Sequence, residues 1–579
     1  MKQFFKITLA TMLGVFLFCL INFIIMIAVL GGIMSIQNAS VPTQKNSVFR
    51  LELEGVIVER MEENSLETLL ASMNESTNYI GLDEVLTAID AASKDDNVSG
   101  IYLKLGMLQA APASITEIRD ALQRFKKDGK FVVAYGDNFS NGTYQLATAA
   151  DKVYMNPQGM PMLTGIKLNT IFYKGLLDKL GVEMQIFKVG TFKSAVEPFC
   201  NTALSDANRL QLNVLSQSIW NEIIIDAAQA RHIDTATINR FANNGLFFAA
   251  ADSAVAYGLV DSLLYENDMK RVLQRLTNDD NFHTIKLRQM KRLAKSSSAS
   301  DRVAVLYANG EIDGMTGNSG IDSKKIVEQL LKLADNDDVK AVVMRVNSPG
   351  GSAYGSEQIW HAAEVLRAKK PFIVSMSDYA ASGGYYISCS ADTIVAQPNT
   401  LTGSIGIFGM FPNLQGATQK LGLTFDGVKT NRFSDLGDIT RPMNDAERQL
   451  MQQYIERGYA LFVQRCAEGR SLSVDSIRTI AEGRVWSGKD AQQLGLVDVL
   501  GGLDTAITIA AEKAQLTDYS LVTYPPQKDI TTQLIEKLYD NQTRILQRTL
   551  GEKFTLFQQV CNLKDKQGLF ALMPYYIAW

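Results

Sequence analysis

The chain carries the same stretch twice. Residues 132–159 (VVAYGDNFSNGTYQLATAADKVYMNPQG) align without a gap on residues 373–400 (IVSMSDYAASGGYYISCSADTIVAQPNT), at a shift of 241 residues. Val133, Asp137, Gly142, Tyr144, Ala150, Asp151 and Pro157 find counterparts in Val374, Asp378, Gly383, Tyr385, Ala391, Asp392 and Pro398. Upstream, Asp96 and Val98 before the apolar run GIYLKL match Asp337 and Val339 before AVVMRV. Downstream, Lys179-Leu180-Gly181 matches Lys420-Leu421-Gly422. Further on, Gly258-Leu259-Val260-Asp261 matches Gly495-Leu496-Val497-Asp498 at a shift of 237, which marks a small insertion. A register held this long predicts two copies of one domain, over 46–270 and 301–520.

Within each copy, short β-rich runs alternate with helical patterns. Val303–Tyr307, Ala341–Val346 and Phe372–Ser375 read as strands. Ser323–Asp335 has Ile326, Leu330, Leu331 and Leu333 at helical spacing, and Ser356–Ala368 is a second helix stopped by Lys369-Lys370-Pro371. Strands alternating with helices predict an α/β fold with a parallel sheet in each copy.

Outside the repeats the N-terminus is the strongest signal. Ile7 to Ile36 contains no charged residue, and about 20 apolar residues suffice to span a bilayer. The run is about twice the 7–15 residues of a cleaved signal peptide's core. We read a transmembrane signal anchor over 7–36. Lys2 and Lys6 keep residues 1–6 in the cytoplasm and export everything that follows. Residues 271–300, ending in the serine-rich Lys295–Ser300, read as a linker. Residues 521–579 read as a helical extension, with an amphipathic candidate over 530–550 and an apolar end at 573–579.

Composition excludes several classes. A net charge of -4 gives no field for a nucleic-acid partner. The five cysteines form no CxxC and no zinc-like cluster with the three histidines, and no GxxxxGK[ST] is present. No metal or cofactor is expected.

Two segments of the second copy are suited to chemistry. Asn347-Ser-Pro-Gly-Gly351 follows a strand; Pro349 stops it, and the paired glycines bring bare backbone N–H groups to a turn that can hold an oxyanion. Ala380-Ala-Ser-Gly-Gly-Tyr-Tyr386 places Ser382 among small residues, where a strand can turn sharply into a helix with its hydroxyl exposed and the Gly383 N–H beside it. A serine nucleophile needs a base. No histidine lies near either motif, which directs attention to lysine. A lysine can serve once burial brings its pKa down from about 10.4.

The repeat assigns the parts. Ser382 aligns with Asn141 and Gly350-Gly351 with Gln109-Ala110, so the first copy lacks nucleophile and glycine turn. Conversely Lys193, in Gly190-Thr-Phe-Lys-Ser-Ala-Val-Glu-Pro198, aligns with Ser434. Lys188 is the rival base, but its match with Lys429 suggests a structural role. The expectation is a divided site, assembled where the copies meet, with Ser382 as nucleophile and Lys193 as base.

At these residues, together with KSAVEP, ASGGYY, NSPGG and LTGSIG, the chain resembles the signal peptide peptidase A family, in its long bacterial form called protease IV. The resemblance covers nearly the whole chain. It implies tandem Clp protease/crotonase-like domains, a Ser–Lys dyad, and digestion of cleaved signal peptides at the exported face of the cytoplasmic membrane. It implies a homotetramer, Gly351 and Gly383 as oxyanion donors, and Ser404 as a hydrogen-bond partner of the lysine. A groove is expected from Ala380, Ala381, Gly383, Gly384, Ile405, Ile407 and Phe408, small or apolar residues suited to hydrophobic peptides. The competing functions are crotonase-like acyl transfer, against which export argues, and an inactive membrane scaffold, against which the serine–lysine complement argues.

Overall fold

The computed structural model describes residues 6–7, 10–18, 21–22, 43–61, 78–294, 297–314 and 320–526, and the backbone of 568–572. The expected span 7–36 falls largely outside these residues. Among those described, no helix is long and apolar enough to cross a membrane.

Each copy is built on a parallel sheet. In the first, Ser47–Val58 pairs with Val98–Gln109, followed by Phe131–Gly136, Lys152–Met155 and Ser262–Leu263. In the second, Arg302–Asn309 pairs with Val339–Ser348, and that strand with Phe372–Ala381, which carries both Thr393–Ala396 and Leu401–Gly403 along its other edge. Apolar β-branched runs such as AVVMRV suit strands covered on both faces. Ala304, Leu306 and Ala308 enter one core with the helices Ser323–Asp335 and Ala353–Arg367, while Val303, Val305 and Tyr307 enter another with Leu503–Lys513. That is the period-two alternation of a strand.

Two stretches depart from the sequence reading. Residues 271–300 do more than link the copies: Thr284–Lys286 adds a parallel strand to Ser47–Val58, and Leu287–Arg292 packs on the helix Leu82–Lys94. Ile285 and Met290 are buried there. The basic residues Lys286, Arg288, Lys291 and Arg292 alternate with these apolar anchors. The described parts of 521–579 are strand rather than helix. Ser520–Tyr524 runs parallel to Arg302–Asn309, and Gly568–Leu572 joins a further sheet. The candidate helix 530–550 and the end 573–579 lie outside the described residues.

That further sheet brings the copies together. Glu183–Lys188 from the first copy lies antiparallel to Phe408–Asn413 from the second; Gly568–Leu572 follows, and then Gly350–Ser352. Behind it the helix Pro112–Lys127 of the first copy packs on the strand that leads to Ser382.

Candidate active site

Ser382 stands between the strand Phe372–Ala381 and the short helix Gly383–Tyr386. Its backbone has φ 57° and ψ −116°, a combination that an L-residue adopts only under strain and that recurs at functional turns. The strain is held in place from two sides. Ser382 N donates to Gly403 O at 2.8 Å, and a Cβ on Gly384 would come within 2.5 Å of Ser348 O. The Gly383 N–H, at the start of the helix, has no intrahelical acceptor.

Lys193 arrives from the other copy. The strand Glu183–Lys188 delivers the chain to Gly190, whose φ of 100° and close approach to the Glu482 carbonyl leave no room for a Cβ. Phe192 N then donates to Glu482 O at 3.0 Å, and the Arg484 guanidinium sits between the Phe192 and Trp486 rings, 5.0 and 4.1 Å from their centres. Gln211 Nε2 donates to Phe192 O at 3.1 Å and Ser194 Oγ at 2.9 Å. The lysine is thus fixed by the 481–486 segment of the second copy and by the helix Asp206–Arg231 of its own.

The side chain ends 2.7 Å from Ser382 Oγ and 3.1 Å from both the carbonyl and the hydroxyl oxygen of Ser404. All three residues are fully buried. Burial drives the Lys193 pKa well below its ordinary value. A neutral amine has two N–H donors and one lone pair. Ser404 Oγ donates to Gly483 O at 3.3 Å, which leaves its lone pairs for Nζ. If both amine donors go to Ser404, the lone pair faces the Ser382 hydroxyl, the orientation required to accept its proton.

The glycine turn lies opposite. Gly350 has φ 107° and Gly351 φ 152°, and a Cβ on Gly351 would meet Ile312 O at 2.2 Å. Gly350 O accepts from Ile312 N at 2.9 Å, and Ser352 N donates to Ile312 O at 2.8 Å. Alternation along the strand turns the Gly351 N–H the other way. The first copy has none of this. Asn141 ties down a loop, donating to Gly165 O and accepting from Thr164 N, while Ser434 is exposed and bonded to its own turn at Asn431. Among the described residues, Lys188 Nζ donates to the Lys193 carbonyl, at 3.5 Å. All seven expected groove residues, Ala380, Ala381, Gly383, Gly384, Ile405, Ile407 and Phe408, are buried, and Ala380, Ile405 and Ile407 belong to the main core. Strand alternation and tight packing turn these small and apolar residues inward.

The sequence reading missed a buried ion cluster behind the site. Arg345, two residues before Asn347, donates through Nε to Glu59 at 2.6 Å and through Nη2 to Glu117 at 2.7 Å, both carboxylates coming from the first copy. It also reaches Ser375 and Ser377 on the strand that leads to Ser382, and Glu59 accepts a short hydrogen bond from Ser377. Burial alone would lower the Arg345 pKa; Glu117 and Glu59 more than reverse that. Burial, reinforced by the Glu59 charge, raises Asp378 to about 6, where it accepts from Ser114 N and Oγ, each at 2.9 Å. A single arginine inside the apolar run AVVMRV was the available signal; its partners were not legible from spacing.

The models of two families match. Peptidase family S49 covers residues 124–279 and 364–517, and Clp protease covers 294–402. The chain is 35% identical over 536 residues to Protease 4 of Salmonella typhi, covering 89% of this chain and 86% of that one. It is 33% identical over 511 residues to Protease 4 of Haemophilus influenzae, covering 85% and 83%. It is 31% identical over 283 residues to a putative signal peptide peptidase SppA of Enterococcus faecium, covering 47% and 80%. With tandem Clp protease-like α/β domains, the chain is a serine peptidase. It belongs to peptidase family S49, among relatives of the Protease 4 type.

Proposed function

We propose that this peptidase works through a Ser382–Lys193 dyad shared between its two copies. The observation that carries the reading is the 2.7 Å separation of Lys193 Nζ from Ser382 Oγ inside a fully buried site. Neutral Lys193 takes the Ser382 proton as Oγ attacks the scissile carbonyl. The Gly351 and Gly383 N–H groups hold the oxyanion. Collapse gives an acyl-enzyme, and the leaving amine takes the proton back from Lys193. Water, deprotonated by the same lysine, then releases the acid. Ser404 keeps the lysine aimed throughout, and no metal or cofactor enters any step.

The substrates we propose are hydrophobic, unfolded peptides, such as the cores of cleaved signal peptides. The uncharged run Ile7–Ile36 would anchor the chain in the cytoplasmic membrane, with the peptidase domains on the exported side and close to such substrates. The name of the Enterococcus faecium relative fits this reading. Assembly as a homotetramer belongs to the same proposal and rests on family resemblance. Ser382→Ala and Lys193→Ala should each abolish hydrolysis of a fluorogenic signal-peptide core in detergent while leaving the unfolding transition cooperative. Turnover surviving either change would place the chemistry on other residues, and equal kcat/KM for a length-matched polar peptide would remove the signal-peptide assignment.

A further inference from the structure

The glycine turn and the serine turn are carried by neighbouring strands, and those strands fall out of step just before they reach them. Val346 faces Met376, but Ser348 faces Ala380. Asn347 alone therefore stands opposite Ser377, Asp378 and Tyr379. Such a bulge bends a strand and re-aims the residues that follow it. Across it the strand Phe372–Ala381 changes neighbours: Ile373–Met376 pairs with Thr393–Ala396, and Tyr379–Ala381 with Leu401–Gly403. The second segment leads directly into Ser382.

A bulge interrupts the ladder, and the backbone groups it frees need other partners. Thr400 Oγ1 donates to Ser377 O at 2.7 Å. Asn347 serves the other edge: its Oδ1 accepts from Tyr379 N at 3.1 Å, and its Nδ2 donates to Asp378 Oδ2 at 3.4 Å and Glu59 Oε2 at 3.3 Å. The amide has one sensible orientation, with its oxygen on an N–H and its nitrogen on two carboxylates. Both carboxylates lead to the first copy. Glu59 belongs to it, and Asp378 is held by Ser114 N and Oγ near the start of the helix Pro112–Lys127. The next residue, Ser348, joins the two turns: Gly350 N donates to Ser348 Oγ at 3.2 Å, and the Ser348 carbonyl lies against Gly384. In the first copy the matching strands run in step from Gly100 opposite Phe131 to Leu105 opposite Gly136, and Gly106 stands where Asn347 does. The copy without the nucleophile thus also lacks the bridging amide.

We propose that Asn347 is a positioning residue whose amide sets the register between the glycine turn and the serine turn, so that the Gly351 and Gly383 N–H groups converge on one oxyanion, and that the first copy holds this amide through Glu59 and Asp378. This rests on the assignment of Ser382 as nucleophile and of those two N–H groups as donors. The first copy then contributes more than the base: it also aligns the oxyanion site of the second. Asn347 touches no reacting atom. Moving a donor by about 1 Å is enough to cost about 100-fold in rate. The loss falls on the transition state, where charge develops on the substrate oxygen, and spares ground-state binding.

The test compares full-length Asn347→Ala and Asp378→Asn with wild type in detergent. The probes are a fluorogenic apolar peptide and a peptidyl aldehyde, whose hemiacetal oxygen takes the oxyanion position. Asp378→Asn keeps the volume but cannot accept from both the Asn347 amide and Ser114 N as the carboxylate does, so it breaks the tie to the first copy without a cavity. Asn347→Ala should lower kcat about 100-fold with KM unchanged, and Asp378→Asn should do the same by a smaller factor. The aldehyde inhibition constant should rise by the factor that kcat falls. The uncleaved peptide should bind Ser382→Ala equally well with and without Asn347→Ala. Wild-type kcat in Asn347→Ala, or in Asp378→Asn if Asn347→Ala does not fold, would overturn the proposal. So would a loss of kcat that leaves aldehyde binding unchanged or that comes with an equal loss of peptide affinity. Hydrolysis by Ser382→Ala would overturn the nucleophile assignment instead, whatever the Asn347 variants do.

Discussion

Replacing Arg345 by methionine should unfold the site from behind. The guanidinium is 1% exposed and bonds two carboxylates, Glu59 and Glu117, that are themselves 6% and 1% exposed. Removing one partner of a buried pair costs about 3–5 kcal/mol. Here one arginine serves two carboxylates and two serines, so the upper end, about 5 kcal/mol, is expected. Orphaned carboxylates in this position acquire raised pKa values. A raised acid binds its proton more tightly in the folded than in the unfolded chain, so the variant loses stability as pH rises above about 4.3. The gap from wild type should therefore be small near pH 4 and widen toward pH 7. Urea-unfolding midpoints in detergent, at fixed m, measure it. Arg345→Lys keeps the charge without the fork and should recover only part of the loss. Adding Glu59→Gln and Glu117→Gln to Arg345→Met should recover most of it. An unchanged midpoint at pH 7, or a gap independent of pH, would refute the view that charge compensation across the two copies holds the cluster together.

Two other substitutions probe the lysine. Lys193→Met should raise stability at neutral pH, because wild type must keep an amine buried and deprotonated; the folded pKa is lowered, so wild-type stability climbs with pH up to about 10.4 and the gap closes there. Urea midpoints from pH 6 to 10 check this, and a destabilised or pH-independent difference would contradict it. Gly483→Ala sets a Cβ 2.6 Å from Lys193 Cβ at φ 76°; moving the lysine by about 1 Å should cut kcat about 100-fold with little change in KM, whereas an unaltered kcat would show that the contact does not position the base.

The two-copy α/β architecture was legible because a gapless repeat leaves few alternatives, and because βα alternation survives in the residue pattern. The meeting of Ser382 with Lys193, 2.7 Å apart, was legible for a different reason: each residue occurs in only one copy at its position, so Ser382 stood out against Asn141 and Lys193 against Ser434. What could not be read depends on contacts across long sequence separations. Glu59 and Glu117 lie 286 and 228 residues from Arg345, and Gly483 faces Lys193 only because the copies dock. The strand Gly568–Leu572 carries no alternation that marks it as one, since GLFAL is apolar throughout after its glycine; its strand character comes from the two edges it joins. The same limit applies to Ala380 and Ile405, whose apolar nature fits a core as well as a groove.

The central proposal is that a neutral, buried Lys193 removes the proton from Ser382. The pH dependence of Ser382 labelling by a peptidyl phosphonate tests it most directly, because acylation-like attack is observed without product release. In the full chain the rate should rise along a single ionisation well below 10.4, and Lys193→Met should lower it about 1,000-fold or more and remove the pH-dependent rise. A rate that rises only near 10.4, or labelling of Lys193→Met at the wild-type rate, would contradict it.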